Sequence, residues 1–481
     1  MRYIVFIFFL TLISSGTPEK NPPDPFESLP SERQLAWHDL GYYMFVHFSV
    51  NTFTDREWGY GDESPALFNP AELDCRQWAR VAKEAGMKGI VITAKHHDGF
   101  CLWPSAYTEH SVKNSPWRNG KGDLIRELRQ ACDEYGLRLG IYLSPWDRNS
   151  SVYGTPGYLS YYRSQLRELL TNYGDISEVW FDGANGGTGY YGGARETRRI
   201  DNRTYYDWPN THSIVRSLQP GAVMFSDAGP DIRWVGNERG VGSETNWCLL
   251  NKEDMYPGGP FAKILGQGHE DGKYWVPAEV DVSIRPGWFW HEKEDTLVKS
   301  PETLLEIYYT SVGRNCNLIL NVPPDRRGLI HENDVKALLG LKALLNREFA
   351  NEVARNKKVT ASDVRGKKFA AVNVNDGNHD TYWAANDNVT TASISIDLGK
   401  ETEVNRIVIQ EYIRLGQRVQ KFRVSALVNN EWNQIMEGTT VGYKIIRKFP
   451  LIKARYIRIE ITESKASPVI SNIELYRAPG E

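Results

Sequence analysis

Histidine, lysine and acidic residues recur in this chain at the points where apolar runs stop: His47, then Lys95-His96-His97-Asp98, then Ser144-Pro145-Trp146-Asp147, then Asp182-Gly183, then Asp227. A short carboxylate can attack carbon or move a proton, an imidazole can donate to or accept from hydroxyls, and an indole can cover the apolar face of a small polar molecule. Taken singly, each reads as a solvated loop residue. A set that closes successive strand-like runs reads as the rim of one active site, because catalytic groups of parallel barrels gather at the C-terminal strand ends. The His96-His97 pair does not read as a metal centre. Neighbours on a strand point to opposite faces, and no HxH, HExxH or Cys/His cluster accompanies them.

The elements that must carry these groups alternate in type. Residues 42–48 read as a buried strand. A helix follows with Asp74 as N-cap, an apolar stripe at Trp78, Val81, Ala82 and Ala85, and Gly86 past its end. Residues 89–94 are strand-like again. The next helix has Asp123 as cap, a stripe from Leu124 to Tyr135, and Gly136 as stop. Strands at 137–143, 176–181, 223–226, 274–282 and 317–322 continue the pattern, with a helix near 159–173 closed by Gly174. Short β-runs separated by helices imply a parallel sheet, and so many repeats favour a closed (β/α) barrel, an α/β domain over residues 21–350. Beyond residue 350 the helix stripes vanish. Residues 393–398 (SISIDL) and 456–462 (YIRIEIT) alternate with period two, which predicts an all-β, jelly-roll-like sandwich over 351–481.

The bulk properties narrow the partners. A net charge of -3 gives no reason to expect nucleic acid or an anionic membrane. Fifteen Trp and 25 Tyr suit a carbohydrate partner, since a sugar's C–H face stacks on a ring, although aromatic cores account for part of them. Arg2, an apolar run over 4–13 and Ser14-Ser15-Gly16 read as a secretory signal within residues 1–20, which implies a secreted or periplasmic protein. No cysteine follows that would take a lipid, and no later apolar run predicts membrane insertion. The five cysteines form no CxxC pair and no disulfide framework, so they read as small buried hydrophobes.

Several motifs then converge. The segments Gly41-YYMFVHFS, Thr93-AKHHDGFCLWPS, Glu178-VWFDGA and Asn315-CNLILNVPPDRRG closely resemble glycoside hydrolase family 29, the α-L-fucosidases, in order and across residues 35–350. The resemblance implies double displacement on a (β/α) barrel, no cofactor for catalysis, and fucosylated oligosaccharides or glycoconjugates as partners. Carried over by position, Asp182 of WFDG matches the nucleophile, and His47, Trp58, His96 and His97 match the fucose-binding shell, with Glu57 in the same early loop. A retaining glycosidase needs an ionised carboxylate and a protonated one. Asp182 follows the strand Val179-Trp180-Phe181, and Trp180 alternates with it inside the barrel. L-Fucose carries a methyl group at C6, so its site needs an aromatic wall; Trp58, Trp146, Trp288 and Trp290 are the candidates.

The acid/base is read from Gly229-PDIRWVGNERG, which resembles the branch acting on α1,3/α1,4-linked fucose of Lewis-type glycans and points to Glu238. Glu57, Glu244, Glu279 and Glu292 compete for the role. The segment Pro277-AEVDVSIRPGWFW resembles the same branch and implies substrate contacts from Arg285 and Trp288. Residues 183–207 form a Gly/Tyr/Arg-rich stretch beyond the family minimum, placed to reshape the leaving-group side.

Residues 355–478 resemble a discoidin-like domain of coagulation-factor type C, through Asn375-DGNHDTYW and Ala454-RYIRIEITES…NIELY. Such domains hold a structural Ca²⁺, and the matching residues are Asp376, Asp380 and Glu474. The domain either binds sugar or braces the barrel. Two rival readings stand against the hydrolase: an inactive fucose lectin on the same barrel, and a metal-dependent amidohydrolase, which needs a histidine motif after the first strand where His47 stands alone.

Overall fold

The computed structural model describes residues 20–479, and the expected signal segment lies outside these except for its last residue. Eight short strands, β1 (Tyr42–Val46), β2 (Gly89–Lys95), β3 (Arg138–Leu143), β4 (Glu178–Trp180), β5 (Val223–Ser226), β6 (Ile232–Trp234), β7 (Ala278–Ser283) and β8 (Asn317–Asn321), close into a parallel barrel. Each strand pairs with its neighbours in the chain, and β8 returns to β1 with Tyr42 opposite Leu318. The α/β barrel expected from the alternation is therefore present.

Helices α1 (Cys75–Glu84), α2 (Leu124–Tyr135), α3 (Gly157–Asn172), α4 (Trp208–Leu218), α5 (Ala262–Gln267), α6 (Pro301–Thr310) and α7 (Glu332–Glu348) surround it. The first two begin and end as the sequence predicts. Asp74 caps α1 by accepting from the Arg76 N–H, Asp123 caps α2 by accepting from the Arg126 N–H, and Gly136 ends α2 at φ 63°. Their apolar stripes join Val280 and Val282 of β7 in the layer between barrel and helices.

Two expectations change. The strand expected over 274–282 is two elements, a short ribbon at Tyr274–Trp275 paired with Leu249–Leu250, and β7. Strand β6 is unforeseen. It has three residues and follows β5 after only five, with no helix between, so neither length nor periodicity announces it.

Inside the barrel the side chains stack in layers. Tyr43, Phe45, Tyr142, Trp180, Phe225 and Ile319 form the inner apolar cluster, and Trp180 lies flat on Phe225 with ring centroids 3.9 Å apart. Below Trp180, Glu178 and Glu279 are sealed in with the Tyr43 hydroxyl, which lies within hydrogen-bonding reach of both. Burial and their mutual charge raise the carboxyl of Glu178, and burial likewise raises that of Glu279, so the pair keeps a proton where free carboxyls would not.

The C-terminal domain is antiparallel throughout: β9 (Lys358–Ala361), β10 (Trp383–Ala384), β11 (Ala392–Glu411), β12 (Val419–Val428), β13 (Glu431–Gly438), β14 (Ile445–Ser464) and β15 (Val469–Tyr476). The two long strands, β11 and β14, break register between Asp397 and Thr402 and again between Val404 and Arg406. Such bulges bend a ladder, which here encloses one core containing Ile394, Ile396, Ile407, Ile457, Ile459 and Ile473. The domain is fastened to the barrel. Arg406 of β11 donates to Glu348 of α7 at 2.9 Å and to the Tyr309 hydroxyl of α6 at 3.1 Å, while Val408, Ile446 and Tyr476 join the apolar layer around the barrel helices. All five cysteines are free and buried, and no helix among the described residues is long and apolar enough to cross a membrane.

Candidate active site

A cavity of about 410 Å³ opens at the C-terminal ends of the strands. Asp182 stands on its floor, one step above Trp180 on the inward side of β4, while Phe181 between them points into the outer layer. Two donors aim its carboxylate. The Tyr142 hydroxyl donates to Oδ2 at 3.0 Å and the Ala184 N–H to Oδ1 at 2.6 Å, and His97 Nε2 lies 3.8 Å from Oδ2. Burial raises the Asp182 carboxyl, and the two donors pull it back. Tyr142 is held from behind by stacking on Trp180, at 5.4 Å and 28°.

The three histidines share one wall and are neutral. Burial lowers His47 and His97 to about 3, and burial with the neighbouring imidazoles lowers His96 well below its ordinary range. Their surroundings set two tautomers. The Ser144 hydroxyl gives its proton to the Trp146 carbonyl at 2.6 Å, so it must accept from His97 Nδ1 at 2.7 Å. The Asn321 amide donates to the Trp288 carbonyl at 2.8 Å and to Ser283, so its oxygen accepts from His47 Nδ1 at 2.8 Å. Both Nε2 atoms are thereby left as acceptors, suited to sugar O–H groups. His96 stacks on Tyr142, and its buried Nδ1 has no protein partner among the described residues.

Aromatic rings complete the bowl: Phe45, Trp58, Trp180, Phe225, Trp234 and Trp288 line it. Trp58 is half exposed and meets His97 and Trp146 edge-on. Glu57 lines the same side and accepts from the Trp288 N–H at 2.8 Å and the Phe289 N–H at 3.2 Å.

Opposite Asp182 lies a second acidic group. Glu238 sits in a loop that leaves β6 four residues earlier, between Gly236 and Gly240 at φ 85° and 82°. A Cβ at Gly236 would strike the backbone of Ala262, so the tight turn requires glycine there. Beneath the loop, the buried guanidinium of Arg233 donates to the Leu265 and Trp247 carbonyls and to Asn246. Burial raises the Glu238 carboxyl, opposed by a hydrogen bond with Trp288 and reinforced by the charges of Asp182 and Glu57. The unforeseen strand β6 is thus the element that delivers Glu238 to the rim.

Two further carboxyls face the cavity. Asp227, at the end of β5, accepts from the Gly258 N–H at 2.7 Å, and burial pushes it up to about 6. Gly183 packs directly on it, where a Cβ would collide with the carboxylate. Asp281 accepts from the Trp234 indole at 2.8 Å and is raised well above the usual range by burial and by Glu238. Sequence reading passed over Asp281 and Tyr142. Alternation held the signal for both: in β7 Glu279 and Asp281 share the inward face between Val280 and Val282.

Of the remaining expected groups, His47, Glu57, Trp58, His96, His97 and Trp288 line the cavity. Trp146 stands behind it, its indole donating at 3.0 Å to Tyr191 of the 183–207 stretch, so that stretch buttresses the Trp58–His97 wall. Arg285 does not reach the cavity. Its buried guanidinium is spent on Asp334, at 2.6 and 3.0 Å, and on Asp295, tying the end of β7 to α7. Trp290 is likewise turned away, donating to Asp295 at 3.0 Å. Glu279 is sealed beneath Trp180, whose indole donates to it at 2.8 Å, which removes it from the rim.

The expected calcium ligands are not brought together. Asp376 accepts from the Asn378 N–H and the Thr381 hydroxyl, Glu474 from Asn472 and the Tyr476 hydroxyl, and no group of three or more metal-ligating side chains forms among the described residues. The Asp380 N–H is bonded to Asn378 within the same turn.

Comparison with known proteins agrees with this geometry. The model of the alpha-L-fucosidase family matches residues 28–348, and that of the F5/8 type C domain matches residues 358–475. Alpha-L-fucosidase 1 of Arabidopsis thaliana is 42% identical, over 98% of this chain and 93% of that protein. The crystal structure of a glycoside hydrolase 29 family member from an unknown rumen bacterium is 48% identical with a TM-score of 0.85, over 95% of this chain and 79% of that one. A glycoside hydrolase 29 fucosidase of Ruminococcus gnavus in complex with fucose is 30% identical with a TM-score of 0.84, over 96% and 97% of the two chains.

Proposed function

Because this chain belongs to the alpha-L-fucosidase family of glycoside hydrolases, we propose that it removes terminal α-L-fucose from branched, Lewis-type glycans by double displacement, with Asp182 as nucleophile and Glu238 as acid/base. The observation that carries this reading is the different placement and hydrogen bonding of two cavity carboxyls that burial raises alike. Asp182 is aimed by an O–H and an N–H donor on a strand end, as an attacking carboxylate must be. Glu238 is raised by burial and neighbouring negative charge on a loop over the opening, as a proton donor to the leaving oxygen must be.

In the first step Asp182 attacks the anomeric carbon while Glu238 protonates the departing glycosidic oxygen. In the second, Glu238 takes a proton from water, which displaces Asp182 with net retention. Nε2 of His47 and of His97 accept from ring hydroxyls, Glu57 offers a carboxylate to the same shell, and the aromatic bowl covers the methyl group. The reaction needs two carboxyl groups and water, and no cofactor. Asp281 lies beside Glu238 and Asp227 beside Gly183 and Asp182, and both can accept from substrate hydroxyls.

The linkage preference rests on the resemblance of 229–240 and 277–290 to the α1,3/α1,4 branch. A comparison of Lewis trisaccharides with linear 2′-fucosylated substrates tests it: the trisaccharides should be cleaved at least about tenfold faster, and equal rates would contradict it. An aryl α-L-fucoside assayed with and without a chelator tests the chemistry; turnover should persist in chelator, and binding without turnover would instead indicate a lectin. We further propose export from the cytoplasm, supported by Arg2 and the apolar run after it; a mature N-terminus at the predicted start, residue 1, would contradict it.

A further inference from the structure

We propose that His291 is a positioning residue that ties together two walls of the fucose pocket as a cationic bridge between Asp55 and Glu57. The inference rests on the fucosidase reading for the identity of the ligand, but the bridge itself is drawn from the structure. His291 Nδ1 lies 2.5 Å from Asp55 Oδ1 and Nε2 lies 2.7 Å from Glu57 Oε1. A neutral imidazole carries one N–H and could serve only one of two acceptors, turning its lone pair on the other. Two hydrogen bonds to two carboxylates require the imidazolium.

The bridge joins the two walls that carry Trp58 and Trp288. Glu57, next to Trp58, accepts from the backbone N–H of Trp288 and of Phe289 as well as from His291, so three donors from one loop converge on one carboxylate. Gly287 lets this loop come so close, since a Cβ there would press on Glu57 and on the His291 ring. Burial lowers His291, but the hydrogen bonds and charges of Asp55 and Glu57 outweigh it and leave the group raised above its ordinary value. The hydrogen bond from His291 in turn lowers Asp55. The other charges around the bridge are Lys293 and Arg326, both acting on Asp55, Glu294, which accepts from the Gly287 N–H, and Glu238 beyond Glu57.

The sign follows from the raised position. The bridge is complete at pH below the His291 titration and is lost as pH rises through it. Fucose affinity should therefore fall on the alkaline side, through KM and not kcat. The test measures L-fucose binding by calorimetry, and the His291 ring titration by NMR, on the full chain and on the variants His291→Gln and Asp55→Asn. Wild type should bind fucose about tenfold more weakly above the titration than below it, the weight of roughly one charge-assisted hydrogen bond. His291→Gln should bind about tenfold more weakly at low pH and show no such step. Asp55→Asn should move both the ring titration and the affinity step to lower pH, a shift that a merely structural role would not produce. Wild-type affinity in His291→Gln across the range, or an unmoved step in Asp55→Asn, would overturn the bridge. Wild type that binds no fucose at any pH, with the ring titration still moved by Asp55→Asn, would leave the bridge standing and sink the fucose reading instead.

Discussion

Two layers of carboxyls occupy this barrel, one above the other. The upper layer, Asp182, Asp227, Asp281 and Glu238, faces a cavity. The lower pair, Glu178 and Glu279, is closed off by the Trp180 ring and the Tyr43 hydroxyl. Burial raises members of both layers, so a raised carboxyl alone does not mark chemistry here. What separates the layers is access to the cavity. The lower pair is sealed against Tyr43 and Trp180, whereas Asp182, held by Tyr142 and Ala184, lines the cavity.

That contrast makes Asp182→Ala the change with the largest effect. It should lower kcat by about 10³-fold or more with little loss of thermal stability, since water entering the cavity can accept from Tyr142 and Ala184 in its place. Steady-state rates and a melting curve on the same preparation check both halves. Glu238→Ala comes next. Hydrolysis of natural glycans should fall about 10²-fold, because an alkoxide needs the proton, while fucosyl-enzyme formation from an activated aryl fucoside is spared. Azide should then yield an α-configured fucosyl azide. Equal slowing of both substrates without rescue would move the acid to Asp281 or Asp227, no longer to the sealed Glu279.

For the lower layer the expected balance is reversed. Glu279→Ala should cost about 2–4 kcal/mol of stability, by opening a buried void and leaving the Trp180 indole unpaired, and should keep kcat within about tenfold. A stable Glu279→Ala protein with kcat down a hundredfold would break the division between layers.

Asp227 sharpens the division with a smaller effect. Its folded-state value of about 6 exceeds the 3.8 of a free aspartate, so the native state holds more protons between those values and stability falls as pH rises through them. Asp227→Asn removes that cost. The variant should melt higher than wild type at pH 7.5, by roughly 1 kcal/mol or more, and no higher at pH 4. Scans at the two pH values decide it.

The upper layer was legible in the sequence to the extent that strand ends were. Asp182 and Asp227 close apolar runs and could be read directly. Glu238 was placed through a motif, because the strand beneath it spans only Ile232–Trp234 and gives no period to detect. Asp281 was hidden inside a strand that reads as apolar until alternation is applied. Arg285 shows the opposite error. The resemblance of 277–290 implied a substrate contact from this residue, but its guanidinium is taken by Asp334, forty-nine positions later in the chain, and no local pattern reveals that partner. In the second domain, SISIDL and YIRIEIT alternate as read, while in the acidic turn Asp376 accepts from the Asn378 N–H and the Thr381 hydroxyl of the same turn.

The central claim is that Asp182, and none of the carboxyls beside it, forms the covalent bond to fucose. Reaction with a slow 2-deoxy-2-fluoro-L-fucosyl donor, followed by peptide mass mapping, addresses this directly. The fluorine slows both steps, and a good leaving group lets the fucosyl-enzyme accumulate. A single 2-fluorofucosyl adduct is expected on the peptide containing Asp182, with no adduct in Asp182→Ala. An adduct on Asp227, Asp281 or Glu238 would contradict it.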